Sequence, residues 1–256
     1  MLFAIILMVL ILVIFRKQKA EYSDEGSKTE IIFSLSWYLL YFALAMISNA
    51  FHINIINEVT NWLFLVLLPL LILARLKKGK FKEAFQETLR EIGLKRIDKE
   101  TGFRTLLVCM LYMGILVFVF SLSDEKPVMT DIPKMLVRLP IFMCLMLLTA
   151  GFTEEFFFRG IVQRCVANSL KQPYIAIVFT SILFGIYHFP FAYYLWEQTA
   201  GSVVDSLKAI LVEQAVTGCA LGLMYYKSSN NLWSSAVLHA FVNASIMAFG
   251  TILPGS

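Results

Sequence analysis

Glu154, Glu155 and Arg159 interrupt a run from Leu147 to Val162 that is otherwise almost wholly apolar. A charged side chain at the centre of a hydrocarbon layer costs roughly 2.5–3.5 kcal/mol on insertion scales, so such groups usually face partners or water-filled cavities. Two more polar groups break apolar runs further along: Phe184 with His188, and His239 with Asn243. Of the three histidines, two therefore fall inside candidate membrane spans, and these residues are where chemistry is to be sought.

Their spacing separates their roles. Glu155 and Arg159 are one helical turn apart and can pair on one face, whereas Glu154 points about 100° away from Glu155. Glu155 is thus expected to form a structural ion pair, which leaves Glu154 to face a cavity. His239 and Asn243 share a helix side by the same spacing. A glutamate beside a histidine in a dehydrated pocket can hold and deprotonate water. An imidazole and an amide donor nearby could stabilise the oxyanion formed when that water attacks a peptide carbonyl. No GxSxG elbow occurs, which disfavours a serine nucleophile.

The elements that must position these groups are membrane helices. Across 256 residues the chain is 59% hydrophobic and 16% charged, with a mean hydropathy of +0.73, and soluble domains are nearer 25% charged. This predicts an all-α, polytopic membrane bundle of about eight spans, near 1–15, 31–51, 60–76, 103–122, 140–166, 173–190, 207–226 and 231–250. The first is the weakest. It lacks a basic leader and a small-residue cleavage site, so it reads as a retained anchor. One integral membrane domain, 1–256, is expected, with N-terminal spans and an inner amphipathic segment over 1–130 and the helical core carrying the polar groups over 131–256.

Lys and Arg are unevenly shared among the loops, and that bias sets orientation. Placing both termini outside gives the inner loops Arg16, Lys17, Lys19, Lys28, the basic run from Arg75 to Arg104, Arg164, Lys171 and Lys227, against Lys126, Lys134, Arg138 and Lys208 outside. The basic run is a topology signal beside anionic headgroups and gives no reason to expect nucleic acid. Within it, Phe81, Phe85, Leu89 and Ile92 recur at helical spacing, which suggests an amphipathic helix on the inner membrane face. The four cysteines stand singly without CxxC spacing and are expected to be free thiols acting as small core residues.

Short polar links make antiparallel hairpins of 140–166 with 173–190 and of the last two spans. Glu154 and His188 are equidistant from residue 171 in the first link, so an ideal hairpin sets them at one depth, roughly 25 Å from the turn. His239 is only roughly 15 Å from its own turn near Ser229. Bringing all three together requires the first hairpin to reach some 10 Å further into the cytoplasm.

Glu154-Glu155-Phe156-Phe157-Phe158-Arg159 resembles the EExxxR motif of the CPBP family, Phe184-Gly185-Ile186-Tyr187-His188 its FxxxH motif, and His239-Ala240-Phe241-Val242-Asn243 its HxxxN motif. This family contains CAAX prenyl endopeptidases and bacteriocin-processing or self-immunity (Abi) proteins. The resemblance covers residues 140–250 most clearly, and all three motifs stand in order. It implies a glutamic intramembrane endopeptidase, without cofactor or metal, whose site opens toward the cytoplasm. Glu154 would be the general base, His188 its partner on the water, Glu155 and Arg159 supports, His239 and Asn243 oxyanion stabilisers, and Phe184 a pocket wall. The substrate would be a prenylated CAAX-type C-terminus or a membrane-associated peptide precursor, and membrane lipid the surrounding partner. A compact chain without an organelle signal suggests a prokaryotic cell membrane. Two other readings stay open: a zinc protease using Glu154, His188 and His239, and a non-catalytic immunity protein or membrane scaffold. A transporter is disfavoured, since no matched pair of broken helices is visible.

Overall fold

The computed structural model describes residues 1–18, 20, 28–122 and 132–250, and Lys19 of the inner-loop count and Lys126 of the outer-loop count lie outside them. The described residues form helices and no strand. In chain order these are α1 (Leu2–Ile14), α2 (Lys28–Ala50), α3 (Glu58–Leu76), α4 (Phe81–Ile92), α5 (Lys99–Leu122), α6 (132–170), α7 (Pro173–Tyr194), α8 (Val203–Lys227) and α9 (Leu232–Gly250). Each predicted span corresponds to one of them, and α4 is the amphipathic helix. Six are long and apolar enough to cross a membrane, while the apolar stretches Leu2–Ile14 and Leu232–Ala248 are shorter.

Burial is inverted relative to a water-soluble protein. Apolar side chains such as Phe103, Met110, Phe118 and Leu148 point outward, more than half exposed, whereas Ser34, Thr180, Ser234 and Ser245 are wholly buried. Lipid tails suit the outer apolar surface, and most of the buried hydroxyls, though not that of Thr180, bond to carbonyls or to one another among the described residues. Ser181 and Ser245 do so to Ile177 and Phe241. Cys109 and Cys165 are buried as expected, but Cys144 is exposed, so it faces the lipid side rather than the core. Its position on an outward face of α6 explains the difference, because a thiol is apolar enough for either environment.

Two hairpins hold the polar groups. α6 passes into α7 through Lys171 in the left-handed conformation and Gln172, and Pro173 starts the next helix, where its missing N–H costs nothing. α8 passes into α9 through Ser228–Asn231. That second turn is fixed by the end of α4: the Leu232 N–H donates to the Gly93 carbonyl, the Tyr225 hydroxyl to Ile92, and the Lys95 ammonium to Ser229. Ile92 in turn packs onto Gly160 of α6. α9 therefore begins near the level of Gly160, while α6 runs on to Leu170, about 15 Å further. The longer first hairpin anticipated from register is present.

Gly93 ends α4 at φ +89°, a left-handed cap in which its own N–H and that of Leu94 satisfy the last carbonyls. A Cβ there would lie 2.0 Å from the Asn230 carbonyl oxygen, a backbone atom that cannot step aside cheaply. Gly93→Ala is therefore expected to destabilise the protein by about 2–4 kcal/mol, from the αL penalty and the clash together. Thermal unfolding in detergent checks this, and an unchanged midpoint would show that the turn yields.

Candidate active site

α6 changes its winding twice around the glutamates. Leu147–Gly151 and Phe156–Gln163 take wider π turns on either side of the short α segment Phe152–Glu155. Such turns shift the side chains that follow them around the axis and free local carbonyls, and they recur at functional sites. One of those carbonyls, on Leu148, accepts a hydrogen bond of 2.9 Å from the Trp62 indole of α3. Trp62 also stacks on Phe152, whose ring meets Trp233 of α9 on its other side. Gly151 lets α9 approach, since a Cβ would touch the Ala236 carbonyl and the Ala240 methyl at 3.0 Å.

That approach brings His239 onto Glu155. The Glu155 carboxylate is wholly buried, and its two oxygens are divided: Oε2 accepts from the Arg159 Nε at 3.1 Å, and Oε1 from the His239 Nδ1 at 3.1 Å. The Arg159 guanidinium is equally buried and lies 5.1 Å from the centre of the Phe184 ring. Glu155 is thus the anchor expected from its spacing with Arg159, with an added task that spacing could not show. It orients an imidazole from another helix.

Glu154 is placed differently. Its Oε2 is buried with no hydrogen-bond partner among the described residues, and the Nε2 atoms of His188 and His239 each stand 4.0 Å from it. The tautomers follow from the other ring nitrogens. His188 Nδ1 lies 2.8 Å from the Phe184 carbonyl and His239 Nδ1 lies on a carboxylate; both partners accept, so each Nδ1 carries hydrogen. In the neutral rings both Nε2 atoms then present lone pairs toward Glu154. Three acceptors converge on one place, and a separation of 4.0 Å admits a water bonded to both sides at about 2.8 Å.

Phe184 supports this centre as a wall, its ring centre 4.8 Å from that of His188 and 5.9 Å from that of His239. Asn243, one turn beyond His239, is half-buried and makes no side-chain hydrogen bond to the described residues. All seven residues picked out by spacing therefore lie on the three helices that meet here, and six are tied together by the contacts above. Sequence reasoning missed a second layer. Tyr187 meets His188 edge to face at 4.9 Å and stacks at 5.5 Å on Tyr41, whose hydroxyl bonds Asn61; Trp196 lies 6.3 Å from His188. Tyr187 could have been suspected from its adjacency to His188. Tyr41 and Asn61 come from helices whose apolar pattern gives no such signal.

The donor set does not suit zinc as arranged. Neighbouring ligands on a tetrahedral zinc with bonds near 2.0 Å stand roughly 3.3 Å apart, closer than the two 4.0 Å separations at Glu154. No group of three or more His, Cys, Asp or Glu able to hold a metal ion is found among the described residues.

Fold and cluster together define a polytopic helical membrane protein with a buried Glu–His–Arg centre. Residues 136–245, which contain all three motifs, match the family model of the type II CAAX prenyl endopeptidase Rce1-like proteins, and this match supports the resemblance of that region to the CPBP/CAAX protease family. No curated protein and no solved structure matches the chain.

Because Glu155 keeps its charge in a dry interior through Arg159, Arg159→Met should cost about 3–5 kcal/mol, the usual penalty for leaving one member of a buried pair uncompensated. Thermal unfolding of the purified variant measures it. A loss below about 1 kcal/mol would mean that His239 suffices for Glu155.

Proposed function

We propose that the protein is a metal-free glutamic intramembrane endopeptidase, and the observation that carries this reading is the unpartnered Glu154 oxygen facing two imidazole Nε2 atoms. A water held there donates one hydrogen to Glu154 and the other to His188. As its oxygen attacks the scissile carbonyl carbon, Glu154 takes the proton, and the carbonyl oxygen becomes an oxyanion. The Asn243 amide can donate to that oxyanion, and so can His239 when it enters the cycle as the imidazolium and keeps its Nε2 proton throughout, its ring held by Glu155 at Nδ1. Collapse of the intermediate breaks the C–N bond, and the proton on Glu154 passes to the leaving amine. The products are a carboxylic acid and an amine, which exchange a proton to give a carboxylate and an ammonium, with no covalent enzyme intermediate.

The family match supports a membrane-associated peptide or prenylated protein as substrate. Of these, a prenylated CAAX-type C-terminus and a membrane-bound peptide precursor both fit a site set among lipid-facing helices. The Lys/Arg bias of the loops supports an orientation with both termini outside and the site serving the cytoplasmic side, in what this reading takes to be a prokaryotic cell membrane.

Mass spectrometry of products from the purified protein, offered prenylated CAAX and leader-peptide substrates, tests the activity. Cleavage should fall about 10²–10⁴-fold in Glu154→Ala at unchanged membrane abundance, and it should survive a strong chelator after elemental analysis confirms that zinc is absent. Full biological function in Glu154→Ala would instead favour the immunity or scaffold reading, and loss of cleavage with zinc would restore the metal reading.

A further inference from the structure

The segment joining α3 to α5 exposes more cations than acids. Lys77 pairs with the exposed Glu87 at 2.7 Å and with the partly buried Glu91 at 2.5 Å, and Arg164 of α6 pairs with Glu91 and Glu30 at 3.0 Å. The hydrogen bond and charge of Lys77 hold the Glu87 carboxyl below its ordinary range. Lys78, Lys80, Lys82, Arg90 and Arg96 are exposed and make no ion pair with the described residues. Glu83, Glu87 and Asp98 are exposed among them; with Glu87 engaged by Lys77, the other two are too few to balance five such cations.

Two apolar side chains stand out of this charged field. Leu76 is 46% exposed and Phe81 40%, and the Arg75 guanidinium sits 4.8 Å above the Phe81 ring. A leucine and a phenylalanine rimmed by lysines match the interfacial region of a bilayer, where rings enter the acyl boundary and ammonium groups stay with phosphates. A rigid polyanion such as nucleic acid would meet the lysines but would leave these apolar groups against water. The segment is also fixed in place, because Ile92, Gly93 and Lys95 bond to the α8–α9 turn and Ile92 packs on Gly160.

We propose that residues 75–96 form a docking surface for anionic phospholipid headgroups, with Lys78, Lys80 and Lys82 on the phosphates and Leu76 and Phe81 seated between them. The surface rests on charge and apolar exposure alone and stands whether or not Glu154 is a catalytic base. Its engagement would hold α4, and through Ile92 the α6 segment that carries the glutamates, at a set depth.

The test uses Phe81→Trp in nanodiscs of phosphatidylcholine alone or mixed with phosphatidylglycerol, each containing lipids brominated near the headgroup. Quenching is read as the difference from the wild-type protein, which removes the four native tryptophans. Quenching at position 81 should be about twofold greater with phosphatidylglycerol, and added salt should reverse the gain. The gain should disappear in Lys78→Gln/Lys80→Gln/Lys82→Gln, whose thermal midpoint in phosphatidylcholine discs controls for folding. Equal quenching in both bilayers would overturn the proposal, as would a gain that persists in the triple variant. Inorganic polyphosphate bound without any phosphatidylglycerol effect would assign the lysines to a soluble polyanion instead.

Discussion

A carboxylate buried on every side is stable only if both oxygens are met, and Glu155 is met by two different helices. Arg159, one turn on, supplies the charge that keeps it ionised, and His239 of α9 supplies the second donor. The remaining geometry hangs on this division. With Nδ1 given to Glu155, the His239 ring must present Nε2 toward Glu154, and α9 must lie close enough to α6 for Gly151 to carry no side chain. Glu154, left without a hydrogen-bond partner, then faces two imidazoles.

Around this centre the bundle manages buried polarity and outer apolarity by the same means. Ser181 and Ser245 turn back onto carbonyls, Trp62 bonds the Leu148 carbonyl at the π turn, and Phe184 and Tyr187 of α7 pack on the histidines. On the basic side, Arg164 and Lys77 pair with acids of α2 and α4. The result is a rigid connection from the loop at Gly93 to the turn before α9. A buried ion pair is weak evidence for stability in itself, because desolvation offsets much of its attraction. Here its clearer consequence is the fixed orientation of the histidine.

Much of this was legible before any coordinates, because hydrocarbon makes every charge conspicuous. The helical class, the α6–α7 and α8–α9 hairpins, and the level placement of Glu154 and His188 follow from composition, link length and counting along helices. What could not be read depends on helix rotation and crossing. A count of about 100° per residue assumes an α-helix, and α6 departs from it at Leu147–Gly151 and Phe156–Gln163. The bond from Glu155 to His239 joins residues from separate hairpins, and no periodicity in either announces it. Tyr41 and Asn61 were hidden for another reason: a tyrosine in an apolar helix reads as an interfacial ring until a partner appears. Cys144 was misread because thiols suit core and lipid alike.

The division of labour between the glutamates can be measured most directly by comparing Glu154→Gln with Glu155→Gln for thermal stability in detergent and for peptide cleavage in the same preparations. Glu154→Gln should keep the wild-type unfolding midpoint and lose turnover, because its oxygen supports no bond in the fold. Glu155→Gln should lose stability, because it leaves Arg159 buried without a counter-charge. A Glu154→Gln protein that cleaves normally, or a Glu155→Gln protein as stable as wild type, would contradict the account.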